Sequence, residues 1–151
     1  NEPTATRLER FTMCQLGVSS NPALSVSGVD ITREGHTYTI DTIRDLKKKY
    51  GKEGSFCFLI GADNIKDIPK WKNFKTLVRL VKIVAVTRPG AKGKEGALYR
   101  IGSQMIEFLD SPSLNISSTK IRKMLSEGNT SAQYMIPEKV WKFIQKRGLY
   151  L

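Results

Sequence analysis

Ser55-Phe56-Cys57-Phe58-Leu59-Ile60, running into Gly61-Ala62-Asp63, is the stretch that decides the fold. An unbroken apolar run of this length reads as a strand covered on both faces, and such strands belong to parallel sheets. Lys82 to Val86 is a second run of the same kind, stopped by Thr87-Arg88-Pro89-Gly90, and Gln104 to Leu109 is a third strand. Helical spacing lies between and around them. Thr6 to Leu16 carries Leu8, Phe11, Met13 and Leu16 roughly on one side; Tyr38 to Tyr50 carries Ile40, Ile43, Leu46 and Tyr50, and Gly51 ends it. Asn73 to Val81, Ser118 to Glu127 and Pro137 to Arg147 are the remaining helices, with Pro137 suited to a first turn and Gly148 to a C-cap. Leu24 to Ile31 alternates through Leu24, Val26, Val29 and Ile31, which predicts a fourth strand. Ala91 to Ala97, with two lysines and two glycines, reads as an exposed loop. Strand and helix in alternation predict an α/β fold: a Rossmann-like parallel sheet flanked by helices, in a single domain over residues 1–151.

Composition narrows the function. No apolar stretch approaches the roughly 20 residues of a membrane helix, so no membrane partner is expected. Two cysteines, Cys14 and Cys57, make no disulfide framework, and with the single histidine, His36, they make no zinc site. A reducing, cytoplasmic setting fits. The net charge of +11 asks for anionic partners, but the basic residues are spread over many elements and no RNA- or DNA-binding signature is present.

Ile116-Ser117-Ser118-Thr119-Lys120-Ile121-Arg122 is the clearest candidate for an anion site. It sets three hydroxyls at a helix start, where unpaired N–H groups and a partial positive charge attract anions. Arg122, four residues after Ser118, shares its face and leans back toward the N-terminus, placed to fork onto a phosphate. An ordinary Ser/Thr N-cap with a solvated arginine is the alternative. In a parallel sheet ligands bind beyond the C-terminal strand ends, so Gly61-Ala62-Asp63, Thr87-Arg88-Pro89-Gly90 and Ser117–Arg122 are expected on one edge.

These pieces, in order, resemble bacterial nicotinate-nucleotide adenylyltransferase: Leu59-Ile60-Gly61-Ala62-Asp63, Pro69-Lys70-Trp71, Thr87-Arg88-Pro89-Gly90 and Ile116 to Arg122. Tyr38-Thr39-Ile40-Asp41-Thr42 resembles the family's Tyr-Thr-x-Asp-Thr element, and the ending from Tyr134 to Tyr150 resembles its C-terminal helix. One departure stands out. The family opens with a Gly-rich turn and a His-x-Gly-His motif, and this chain has neither; His36 occupies neither family position. The resemblance therefore implies the C-terminal three-quarters of the family domain, with the first strand–helix unit missing. It assigns no catalytic residue within these 151 residues, and turnover by them alone is not expected.

The implied reaction is transfer of AMP from ATP to nicotinate mononucleotide, giving deamido-NAD and pyrophosphate, in NAD biosynthesis. The nucleophile is an ionised phosphate oxygen, so the protein needs alignment and charge neutralisation rather than a base. The resemblance assigns ATP to Gly61, Asp63, Ile116, Ser117, Ser118, Thr119 and Arg122. It assigns nicotinate mononucleotide to Tyr38, Thr39, Trp71 and Arg88: Trp71 stacking on the pyridine ring, Thr39 reading the carboxylate at a helix start. Asp41 and Thr42 read as structural. Mg²⁺ is expected on the ATP phosphates rather than in a protein-made metal site. Two other readings stay open: a related enzyme such as pantetheine-phosphate adenylyltransferase, which would not carry Tyr38-Thr39 with Trp71, and an inactive or partial nucleotide-binding module. A basic RNA-associated protein is supported by charge alone.

Overall fold

The computed structural model describes residues 5–51, 54–87, 99–102, 104–112, 114 and 116–151. They gather into two compact units, one formed by Arg33–Leu114 and the other by Asn1–Thr32 with Asn115–Leu151. The expected loop over 91–97, and Arg88, lie outside the described residues.

The Arg33–Leu114 unit is an α/β sheet with helices packed on it. Its elements run α2 (Thr39–Tyr50), β1 (Cys57–Gly61), α3 (Phe74–Leu80), β2 (Lys82–Thr87), β3 (Tyr99–Ile101) and β4 (Gln104–Asp110), with α1 (Arg7–Val18) preceding them in the other unit. Spatially the strands run β1-β2-β4-β3. β1 pairs parallel with β2 from Cys57↔Lys82 to Gly61↔Val86, and β2 pairs parallel with β4 from Val84↔Glu107 to Thr87↔Asp110. The three parallel strands therefore end together at Gly61, Thr87 and Asp110. β2 fits the sequence reading: Ile83, Val84 and Ala85 are consecutive and all buried, as a central strand requires. α2 presents Ile40 and Ile43, and α3 Leu77 and Val78, to a core shared with Ile60, Ile83 and Ile106. Ile83 and Ile106 have no exposed surface; fully burying such a side chain is worth roughly 1.5–3 kcal/mol.

Three expectations change. Leu24 to Ile31 forms no strand. Asn21 Oδ1 accepts from the Ala23 N–H at 3.0 Å and the Ile31 N–H donates to the Gly28 carbonyl at 3.0 Å, so local turns use the backbone groups that a ladder would need. β1 is covered on one face only: Cys57 is exposed and Leu59 is 61% exposed, while Ile60 is buried. The sheet is also mixed. β3 pairs antiparallel with β4 through Ile101↔Gln104, across a turn in which Gly102 takes φ 59°, a conformation that favours glycine.

Gln104 locks this sheet to α3. Its Nε2 donates to the Val81 carbonyl at 2.9 Å and the Val78 carbonyl at 3.3 Å, and its Oε1 accepts from the Ile83 N–H at 2.9 Å. The side chain thus continues the ladder where β2 has not yet met β4, and it also closes the end of α3.

In the other unit, α1 starts at a capping box: Thr6 Oγ1 accepts from the Glu9 N–H, and the Glu9 carboxylate accepts from the Thr6 N–H at 2.9 Å. Those bonds, with Arg147 at 3.0 Å, hold the Glu9 carboxyl below the usual glutamate range. α4 (Ser118–Ser126) and α5 (Glu138–Arg147) build a core of Leu125, Ala132, Ile144 and Leu149. Gly148 at φ 61° ends α5, with Leu149 N–H donating to the Ile144 carbonyl at 3.1 Å, a Schellman ending as expected. α1 buries no residue, and Leu8 turns to solvent.

We predict that Gln104→Ala costs about 2 kcal/mol, because it leaves a buried N–H and carbonyls without partners. Urea unfolding measures this; a loss below about 0.5 kcal/mol would show that water or neighbours replace the amide.

Candidate functional site

The C-terminal edge of the sheet is built from strand ends. β1 stops at Gly61, and a tight 3-10 turn, Ala62–Asn64, follows at once. The turn folds Asp63 back on the strand, so a Cβ at Gly61 would collide with Asp63 Oδ1. Gly61 is needed here for close approach and not for an unusual backbone angle, its φ being −68°. Beside it, Thr87 is a buried polar residue whose hydroxyl donates to Asp110 Oδ1 at 2.6 Å, tying the ends of β2 and β4 together. In sequence Thr87 shows only as a hydroxyl closing an otherwise apolar strand, and nothing there points to Asp110, 23 residues on.

After Asn64 the chain makes a second 3-10 turn, Ile68–Lys70, pinned by fully buried Ile68. Lys70 Nζ lies 2.8 Å from Asp67 Oδ1; that hydrogen bond raises the lysine above its ordinary value and lowers the carboxyl below its own. Trp71 caps the turn. Its ring meets Phe58 of β1 edge-on at 6.1 Å, and it is half-buried against the core. Trp71 is thus only partly buried, with its edge contact to Phe58 of β1. Next, Asn73 turns through φ 53° to launch α3.

α2 begins with Tyr38 as N-cap and Thr39 as first helical residue, and no side chain caps it. The Asp41 N–H already donates to the Tyr38 carbonyl at 2.9 Å, so the donors that no side chain caps at this helix start are the N–H groups of Thr39 and Ile40. Lys72 reaches this start from the Trp71 segment. Its Nζ stands 4.0 Å above the Tyr38 ring and 3.4 Å from Asp41 Oδ2. Asp41 also lies 3.5 Å from Arg44, and Thr42 bonds the Tyr38 carbonyl and receives Arg33, as a structural role for this pair predicts. No periodicity or motif marks Lys72 in the sequence; its place depends on where the chain turns at Trp71.

In the other unit, Ser117 is the N-cap of α4, its hydroxyl accepting from the Lys120 N–H at 3.2 Å. Both readings of this stretch hold in part: Ser117 is a true cap, while Ser118 and Thr119 keep exposed hydroxyls in the first turn. Arg122 is exposed one turn later, and Ile116 precedes the cap half-exposed. Among the described residues no set of three or more His, Cys, Asp and Glu side chains is grouped to hold a metal, and no helix is long and apolar enough to cross a membrane.

A family described as cytidylyltransferase-like matches residues 1–124. The probable nicotinate-nucleotide adenylyltransferase of Thermoanaerobacter sp. (strain X514) is 39% identical over 146 residues, covering 93% of this chain and 69% of that protein. The nicotinate-nucleotide adenylyltransferase of Bacillus subtilis (strain 168) is 34% identical over 151 residues, covering 99% of this chain and 75% of its own. Among solved structures, Plasmodium falciparum nicotinic acid mononucleotide adenylyltransferase complexed with APC superposes with a TM-score of 0.70 at 20% identity, covering 97% of this chain and 76% of that one. That likeness is one of fold, and it agrees with the α/β architecture expected from sequence.

We predict that Gly61→Ala destabilises by about 1 kcal/mol, the low end of overpacking, and that Asp63→Ala in the same chain recovers most of it. Urea midpoints of the single and double variants give the coupling. An equal cost with and without Asp63 would place the crowding elsewhere.

Proposed function

Because this chain belongs to the nicotinate-nucleotide adenylyltransferase family of cytidylyltransferase-like proteins, we propose that it transfers the AMP unit of ATP to nicotinate mononucleotide in NAD biosynthesis. A phosphate oxygen of the mononucleotide bonds to the α-phosphorus of ATP, the bond to the β-phosphate oxygen breaks, and deamido-NAD and pyrophosphate leave. The observation that carries the reading is the uncapped start of α2 at Tyr38 and Thr39, reached by the chain that follows Trp71. An anion-seeking helix start beside a partly accessible indole suits an aromatic acid.

In this proposal the Thr39 N–H and hydroxyl donate to the nicotinate carboxylate, Tyr38 shapes that corner, and Trp71 stacks on the pyridine ring. Gly61 and Asp63 serve the nucleoside of ATP, the carboxylate accepting from ribose hydroxyls. The first turn of α4, with Ser117, Ser118, Thr119 and Arg122 and the backbone at Ile116, takes ATP phosphates. Arg88 is assigned to the mononucleotide on the motif alone. Mg²⁺ bound to the ATP phosphates would supply charge neutralisation there, and the chain's own part would be the N–H and hydroxyl donors of the α4 start. Residues 1–151 serve one reaction in this reading, and two free cysteines suit a reducing cytoplasm.

The test is chromatography of the natural protein with ATP and either mononucleotide. Equimolar deamido-NAD and pyrophosphate are expected from the acid; no product, or equal use of nicotinamide mononucleotide, would overturn the reading. Arg122→Ala is expected to weaken ATP binding by roughly 1.5–3 kcal/mol, the value of a charge-assisted bond; unchanged calorimetry would remove Arg122 from the site. Trp71→Ala should lower kcat/KM for both mononucleotides, whereas Thr39→Pro, which deletes a donor and a hydroxyl, should narrow the gap between them. A folded Thr39→Pro protein with full acid preference would show that the carboxylate is read elsewhere.

A further inference from the structure

The first turn of α2 poses a charge problem. A helix N-terminus offers about half a positive charge, and it falls off within the first turn. Asp41, the third residue of the helix, places a full negative charge in that same turn. Alone, the pair makes a poor seat for a carboxylate: the acid cancels the helix field and repels an anion while leaving a neutral amide untouched. Arg44, one turn further along the helix, sits 3.5 Å from Asp41 Oδ1 and shares in offsetting the carboxylate, but the Tyr38 N-cap does not hold it.

Lys72 resolves the problem. A surface lysine ordinarily extends into water. This one folds back so that its ammonium stands 4.0 Å above the ring of Tyr38, the N-cap, and 3.4 Å from Asp41 Oδ2. The ring face and the carboxylate hold it together, the first by cation–π attraction and the second by charge. The ammonium is thereby fixed over the mouth of the helix by two groups that belong to the helix start itself.

We propose that Lys72 determines acid-over-amide selectivity: it offsets Asp41 and gives the first turn of α2 a net positive field toward the nicotinate carboxylate. This rests on the proposed mononucleotide site and adds to it a residue that the motif does not contain. Selectivity here comes from the Asp41–Lys72–Tyr38 arrangement as well as from the Thr39 donors. Asp41 serves as a positioning residue that anchors the lysine.

The experiment measures kcat/KM for nicotinate and nicotinamide mononucleotides in the natural protein and in Lys72→Met, Lys72→Arg and Lys72→Met with Asp41→Asn. Calorimetric binding of both mononucleotides accompanies it. Lys72→Met is expected to cut the acid-over-amide ratio about tenfold, through a higher KM for the acid with the amide nearly unchanged. Lys72→Arg should keep most of the ratio, and adding Asp41→Asn to Lys72→Met should restore part of it, because the uncompensated carboxylate is then gone. A ratio unchanged in Lys72→Met, an equal loss for both mononucleotides, or no recovery in the double variant overturns the proposal. If the protein binds the acid preferentially yet forms no dinucleotide, the transfer reading fails and the binding ratio still judges Lys72. If neither mononucleotide binds, both fail.

Discussion

The parallel pairing of Cys57–Gly61 with Lys82–Thr87 is the constraint on which the Arg33–Leu114 unit depends. A parallel ladder cannot close through a tight turn; it needs a crossover, here the 3-10 turns and α3 between residues 62 and 80. The crossover leaves β1 at Gly61, so it must begin at the C-terminal strand edge and carry Asp63 and Trp71 with it. β2, flanked by β1 and β4, is buried from Ile83 to Ala85, and α2 and α3 present their apolar faces to the same core. Once β2 is placed, Gly61, Thr87 and Asp110 finish level with one another, and a ligand edge exists before any ligand contact is considered.

The two anion-seeking helix starts meet their orphan N–H groups differently, and the difference suits the roles assigned to them. In α4, Ser117 takes the Lys120 N–H with its own side chain. That leaves the N–H groups and hydroxyls of Ser118 and Thr119 for a phosphate, with Arg122 providing full charge. In α2 no side chain fills the start, and charge comes from Lys72, tempered by Asp41. A triphosphate brings several charges and tolerates a partly satisfied helix start reinforced by an arginine. A single aromatic carboxylate needs open donors and a finely balanced field, since its rival amide is the same size and differs mainly in charge. The overall charge of +11 is broader than either device.

Much of this architecture was legible in the sequence because the central strands are apolar runs and the helices have clear periodicity. Ile83-Val84-Ala85 and the Ile40–Ile43 spacing could be read without coordinates. Leu24 to Ile31 misled because alternation alone does not supply a pairing edge; Pro22, Gly28 and the Asn21 side chain favour turns instead. β3 has no sequence signature: Tyr99–Ile101 is too short to carry a pattern and pairs with β4 across the turn at Gly102. The proposed site residues Gly61, Asp63, Thr39, Trp71 and Ser117 to Arg122 are legible by type and order in the motifs. Lys72 is not, because a lysine looks the same in sequence whether solvated or folded onto a tyrosine. The Thr87–Asp110 bond was equally hidden, joining residues 23 apart.

The central claim is that the mononucleotide and ATP are held by the named strand ends and helix starts. Backbone amide and indole chemical shifts, followed by NMR during separate titrations with nicotinate mononucleotide and ATP, test it most directly. The account predicts that the mononucleotide perturbs the Thr39 and Ile40 amides and the Trp71 indole N–H, and that ATP perturbs Gly61, Asp63 and Ser118 to Arg122. Saturable shifts confined to other residues, with these unmoved, would contradict it.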